Sequence, residues 1–478
     1  MRQKFLSLGL IWMVLVPMLA ACGGGTTAAT TSATSQSATS VISADTTTST
    51  ATVVVPTSVT EAASANGQTH AVASDYTWDA ATAVQILLNG DSITTSGAGV
   101  TVSGRSATIT AAGSYVLSGT LSDGQIIVDT KDNATVQLIL QSVTLQNSTS
   151  SPLYVANAEK VVLIVAEGTQ NQIADGSAYV FASADEDEPN AAIFSKANLT
   201  IAGTGALTVT GNYQDAIVSK DGLIIAEATL SVTAKDDGIR GKDYLVVKSG
   251  NLTVNAGGDG LKSDNADDAT LGYISIEQGQ IVVTVGGDAL TAATDVLIAS
   301  GDLTLTAGGG SSATLAADQS AKGIKAGAEI VIDGGSFHLD TADDALHSNS
   351  SIAVHGGAFS IKSGDDGMHA DAALTITNGD VQVLTSYEGL ESAQITIDAG
   401  TISLITSDDG INVSAGNDSS GMGGGPGMGG RPGGDSFASN SSNLLTINGG
   451  TVLVDSLGDG LDANGSISIT GGTVIVNG

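Results

Sequence analysis

Between Asp237 and Asp259 the apolar residues fall into three short runs: Ile239, then Leu245, Val246 and Val247, then Leu252 and Val254, with Gly, Asp and Asn between them. No run is long enough for a helix, and β-branched residues bounded by turn formers predict three short strands per unit. The unit recurs. Each copy opens with an acid, then Gly or Ala, then an aliphatic residue, the acids being Asp215, Asp237, Asp259, Asp288, Asp344, Asp366, Glu388, Asp409 and Asp459. Positions 215, 237 and 259 are 22 apart, as are 344, 366 and 388, and Lys322 holds the same frame between Asp288 and Asp344. A mid-unit glycine keeps register from Gly250 through Gly279, Gly301, Gly335, Gly357, Gly379, Gly400 and Gly450 to Gly472, where a positive φ between two strands costs glycine nothing. The aliphatic residue after each acid forms a further column: Ile217, Ile239, Leu261, Leu290, Ile324, Leu346, Met368, Leu390, Ile411 and Leu461.

A fixed period of this length means a solenoid whose units bury their apolar faces against their neighbours. The pattern predicts an all-β fold, a right-handed parallel β-helix of about 22 residues per coil with lateral loop insertions. The leucine-rich frame is absent, and calcium-binding nonapeptide rolls repeat about every nine residues. Longer steps read as insertions at coil corners: an acidic one over 263–272, a small polar one over 309–320, and a Gly/Met-rich one over 416–443, expected to be mobile. Residues 75–213 are β-rich with a ragged period and read as the cap and first coils, ahead of the regular helix over 214–478. The next acid after Asp459 would fall near 481, so the C-terminus is expected to be truncated.

The N-terminus carries a different signal. Arg2 and Lys4 precede an apolar run over residues 5–19 that ends in Leu19-Ala20-Ala21-Cys22, so 1–21 reads as a signal peptide. The ending resembles a bacterial lipobox, with Cys22, the only cysteine, as the lipidated residue that anchors the chain to the membrane at the cell surface. Residues 22–74, rich in Ser, Thr and Ala, read as a flexible tether.

The net charge of −33 argues against nucleic acid as a partner, because phosphate binding needs a basic face. Aromatic residues make up 3% of the chain, too few for a sugar platform of stacked rings. The acids themselves pose the sharpest question. Coils stack about 4.8 Å apart, and like charges at that spacing repel by about 1 kcal/mol in water and about 3.5 kcal/mol at an effective dielectric of 20. Two arrangements offset this. Each carboxylate can accept backbone N–H groups at its own turn. Alternatively calcium, which takes six to eight oxygens, can sit among Asp236, Asp237, Asp259 and Asp264, among Asp343, Asp344, Asp365 and Asp366, and at the doublet Asp408 and Asp409.

Three positions beyond the acid, an outward column runs Arg240, Lys262, Thr291, Lys325, His347, His369, Glu391, Asn412 and Asp462. Its basic members are either charge compensation on a solvated face or a grip for sugar carboxylates, with Arg240, Lys242 and Lys262 as the candidate ligand-binding residues. Zinc is conceivable at His347 and His369 near Asp366, although two histidines on an exposed ladder are ordinarily surface residues. The run over 185–188 reads as a solvated loop. The sequence has no nucleophile elbow, phosphate loop or zinc-protease motif.

The segments ILLNGDSI (86–93), AAGSYVLSGTLSDGQIIVD (111–129), AAIFSKANLTIAGTGALTVTG (191–211), DDGIRGKD (236–243), GDGLKSDN (258–265) and DDGIN (408–412) resemble the bacterial carbohydrate-binding β-helix lipoproteins of cellulolytic clostridia. The Met-Gly-rich insertion after DDGIN fits as well. Departures are Ala289 and Ala345 in place of glycine and Lys322 in place of an acid. The resemblance implies a polysaccharide-lyase-like fold with calcium in its coils, binding cellulose and acidic sugars such as polygalacturonate. The leading expectation is therefore a monomeric, non-catalytic surface protein that binds acidic polysaccharide. A calcium-dependent lyase of the pectate type, with Arg240, Lys242 or Lys262 as base, is the second. An adhesin or spacer is the third.

Overall fold

The three apolar runs of the type unit are three strands, Ile239–Gly241, Tyr244–Val247 and Gly250–Ala256. In the computed structural model, which describes residues 54–316, 318–414 and 442–478, each pairs in parallel with its counterpart one coil on. Stacking them gives a parallel β-helix with three faces: one of short strands, one of four-residue strands and a broad one of six or seven. The second and third faces fuse at the long strand Thr135–Asn147, whose first half pairs with Lys160–Val165 and whose second half pairs with Gln170–Asp175 of the next coil. Strands from the ragged region, such as Gln125–Asp129 and Ala191–Ser195, belong to the same short-strand face as Ile239–Gly241. Cys22 and the signal peptide lie outside the described residues, as does the Gly/Met-rich insertion through residue 441.

The core follows from the period. Ile217, Ile239, Leu261, Leu290, Ile324, Leu346, Met368, Leu390 and Ile411 are all fully buried in one continuous apolar cluster. At roughly 25 cal/mol per Å2 such side chains each contribute about 1.5–3 kcal/mol. The glycine column has positive φ from Gly250 (+137°) to Gly472 (+83°). A Cβ on Gly250 would stand 2.4 Å from the Ala228 carbonyl oxygen of the preceding coil, so the coil spacing itself excludes other residues there.

The expected tether ends earlier than residue 74. Residues 54–76 form a strap along the four-residue-strand face. Val59 and Ala62, on the short helix Val59–Ala63, pack on Leu297, Val331 and Ala353. The Val59 N–H donates to both Asp333 carboxylate oxygens at 3.1 Å, Tyr273 Oη donates to the Gly67 carbonyl at 2.8 Å, and Lys160 Nζ pairs with Asp75 at 2.6 Å. The physical reason lies in the face beneath. Its outward column reads Val162, Thr200, Ile224, Val246, Ser275, Leu297, Val331, Ala353, and then Thr375, Thr396, Thr446, Ser468. Most residues under the strap are apolar, the exceptions being Thr200, which meets His70 of the strap at 2.8 Å, and Ser275, whereas beyond Ala353 the column is hydroxyls throughout.

Candidate cation-binding site

Every regular coil reaches the acid column by the same route. The broad-face strand ends, the chain turns through two residues, and the acid leads into the short strand. Most inner acids are buried, Asp344 at 0% and Asp366 at 3% exposed, while Asp259 and Asp409 are half-buried and Asp459 is exposed. Their Oδ1 atoms accept a backbone N–H from the next coil, not from their own turn. Asp237 N–H donates to Asp215 at 3.1 Å, Asp259 to Asp237 at 2.8 Å, Asp288 to Asp259 at 2.9 Å, Asp366 to Asp344 at 3.0 Å, Glu388 to Asp366 at 3.2 Å and Asp459 to Asp409 at 2.7 Å. Stacking turns about 4.8 Å apart brings each N–H over the carboxylate of the coil before it. Lys322 shows how the ladder handles a residue that cannot accept. Its own N–H donates to Asp288 at 2.8 Å, and the Asp344 N–H turns to the outer acid Asp343 at 3.0 Å instead.

The second carboxylate oxygens separate the column into two parts. In the upper part lysine and arginine heads fold back onto them. Lys262 Nζ lies 2.9 Å from Asp237 and 2.8 Å from Asp259, Lys325 Nζ lies 3.2 Å from Asp288, and Arg240 pairs with Asp264. Lys322 Nζ lies 2.7 Å from Asp343 and 2.5 Å from Asp344. The outward column is therefore half-buried and turned onto the ladder. Burial works against the charge on Lys262, yet Asp259 and Asp237 raise its pKa. Burial likewise opposes the charge on Lys322, which Asp344 and Asp343 hold protonated. Neither lysine is suited to act as a general base.

Below Asp344 the partners change. His347 Nδ1 is 2.8 Å from Asp344, and His369 Nδ1 is 3.3 Å from Asp366 and 3.0 Å from Glu391. His369 is 1% exposed, so it is no surface residue. Burial alone would lower its pKa, but the hydrogen bonds to Asp366 and Glu391 push it up to about 11. No lysine or arginine among the described residues pairs with Asp366, Glu388, Glu391, Asp408 or Asp409. The cost shows in their protonation: burial, with Glu391 nearby, pushes Glu388 up to about 8, and burial with Asp408 raises Asp409 to about 6. Glu388 Oε2 and Asn412 Oδ1 are buried oxygens without a hydrogen-bond donor among the described residues.

Three groups of side chains here can hold a metal ion. One ligand atom from each of Asp344, His347 and His369 lies within 4.8 Å of the others, and the same holds for Asp366, His369 and Glu391 and for Asp343, Asp344 and Asp365. Of the expected calcium clusters, the one at Asp236, Asp237, Asp259 and Asp264 is already occupied by protein cations, since Lys262 and Arg240 stand where an ion would. Of the Asp343, Asp344, Asp365 and Asp366 set, the first three come together, sharing their upper edge with Lys322, while Asp366 groups with His369 and Glu391. Asp408 and Asp409 stay paired, their Oδ1 atoms 2.7 and 2.5 Å from where a Cβ on Gly458 would stand. Of the candidate ligand-binding residues, Arg240 and Lys262 are engaged on the ladder, while Lys242 has no ion pair among the described residues and uses its carbonyl to accept from Asp264 and Asn265. In the 185–188 run, Glu188 bridges Lys196 at 3.4 Å and Lys220 at 2.6 Å. Glu391 was absent from the expected ligands. The change from Lys and Arg to His and Glu down the outward column was the signal that marked it.

A parallel β-helix with a buried carboxylate ladder at one corner defines the protein class. The chain belongs to the family of carbohydrate-binding domain-containing proteins, whose family model matches residues 103–367. A relative of that description from Acetivibrio thermocellus is 41% identical over 201 residues, covering 42% of this chain and 70% of the relative. A solved structure of a polysaccharide lyase-like protein from C. thermocellum, a gadolinium derivative, is similar at 29% identity and a TM-score of 0.46, over 54% of this chain and 94% of that one.

Proposed function

We propose that this chain is a non-catalytic binding protein for acidic polysaccharide of the polygalacturonate type, with cellulose as a second ligand, and that calcium seated on the lower acid column bridges protein and uronate. The observation that carries this reading is the run of buried and half-buried carboxylates from Asp366 to Asp409 with no lysine or arginine partner among the described residues. A divalent cation offsets that charge and leaves coordination positions for a sugar carboxylate, because calcium accepts six to eight oxygens in flexible geometry. Asp408 with Asp409 is the candidate seat within that run, and the oxygen-only group of Asp343, Asp344 and Asp365 adjoins it with Lys322 already paired to Asp343 and Asp344. Lys242 is the remaining one of the three basic candidates, since Arg240 and Lys262 already neutralise acids. Attached through Cys22, the chain would present this column on the cell surface.

Affinity electrophoresis in gels containing polygalacturonate tests the proposal. Retardation in millimolar calcium that disappears in chelator is the expected result, and unchanged mobility in both sinks it. The pectate-lyase alternative has a separate signature, unsaturated uronates absorbing in the ultraviolet, and the binding reading expects none.

A further inference from the structure

We propose that His369 is the centre of a zinc-class transition-metal site, with Asp366 and Glu391 as oxygen ligands and His347, across Asp344, as the second nitrogen. This goes beyond the polysaccharide reading and does not depend on it, because calcium prefers oxygen ligands whereas imidazole suits zinc and its neighbours.

Three observations converge. The first is spacing. His369 Nδ1 lies 3.3 Å from Asp366 Oδ2 and 3.0 Å from Glu391 Oε2. Ligands bonded tetrahedrally to zinc at about 2.0–2.1 Å stand about 3.3–3.4 Å apart, so small movements open the space an ion needs. The second is the orientation of the two rings. His347 Nε2 is 3.1 Å from Asn349 Oδ1, and His369 Nε2 is 3.4 Å from Asp371 Oδ1. His347 thus gives its Nε2–H to Asn349, His369 sets its Nε2 beside the Asp371 carboxylate, and both rings turn Nδ1 toward the inner carboxylates. Metal-bound histidines are held in this way, with an outer carboxylate or carbonyl fixing the ring and its tautomer. The third is place in the column. The ring centroids of His347 and His369 are 5.0 Å apart on adjacent coils, at the point where lysine and arginine pairing stops. Asp344, His347 and His369 and Asp366, His369 and Glu391 are two ligand sets that share His369.

The experiment uses the full chain, stripped with chelator and then titrated with Co2+. One equivalent should give the visible d–d bands of a tetrahedral nitrogen-containing site, displaced by one equivalent of Zn2+ and unaffected by excess Ca2+. Glu391→Gln and His369→Gln should abolish the bands, and Asp371→Asn, which leaves every ligand in place, should weaken zinc binding by about 10–100-fold. Asp259→Asn, in the upper column, should leave the spectrum unchanged. Because His369 is buried, its variant is checked by circular dichroism, and the half-exposed Asp371 carries the test if that variant does not fold. Absence of a stoichiometric cobalt spectrum in the wild type overturns the proposal, as do bands that persist in Glu391→Gln or zinc affinity unchanged in Asp371→Asn. Polygalacturonate binding that survives zinc removal would leave the calcium reading intact, so the two fail separately.

Discussion

From Asp237 to Asp344 the stacked carboxylates meet lysine heads, and from Asp366 downward they meet histidine, glutamate and asparagine. The backbone ladder runs through both parts with the same N–H to carboxylate bonds, so the fold does not choose between them. The strap divides the molecule at nearly the same place: its apolar footprint ends at Ala353, and threonine takes over at Thr375. The upper coils are therefore supplied with their own counter-charges and cover. Below Lys362 the chain has one further lysine or arginine, Arg431, outside the described residues. A solenoid can thus carry a self-sufficient segment and a segment open to outside cations on one continuous core.

The severest way to break this contrast is to remove a built-in cation. Lys322→Met leaves Asp344, which is fully buried, without its ammonium partner, and breaking a buried pair costs about 3–5 kcal/mol. A chemical denaturation midpoint close to wild type would show that the upper column does not rest on its lysines. The next test is calcium. The melting temperature should rise with free Ca2+, by the equivalent of about 2.7 kcal/mol at 100 times Kd, and Asp408→Asn with Asp409→Asn should blunt the rise while Asp259→Asn does not. An identical melt in chelator and in calcium would remove the distinction between the two parts.

Asp215 sharpens the comparison, because this top rung has no lysine or arginine pair among the described residues. Burial, then Asp237, raises its pKa from 3.8 to about 7. With a raised folded pKa, its stabilising contribution is complete below about pH 4 and is lost as pH rises through 7. Asp215→Asn keeps an oxygen to accept the Asp237 N–H. It should match wild type near pH 4 and exceed it by on the order of 2 kcal/mol above pH 7, and parallel stability curves across that window would contradict the assignment. The smallest effect belongs to the strap. Asp333→Ala removes the acceptor of the Val59 N–H and should loosen docking by about 1 kcal/mol. Faster hydrogen exchange at residues 59–67 is the readout, and no change there would mean that apolar contact alone holds the strap.

Much of the fold was legible in the chain. The acid period, the glycine column and the aliphatic column are properties of one repeated unit, and a repeated unit has one way to stack, so Ile239, Leu261 and Leu290 had to meet. The site was legible in its residue types only. Whether Lys262 faces solvent or bridges Asp237 and Asp259, and whether His369 sits on the surface or between Asp366 and Glu391, depends on side chains that approach across coils from about one period away in sequence. The strap was hidden for the same reason. Residues 54–74 carry no periodicity of their own, and their structure comes from a largely apolar column assembled from many coils. Local pattern set the backbone because each coil repeats the same turns. Stacking alone decided the charges, because a long side chain finds its partner on the neighbouring coil.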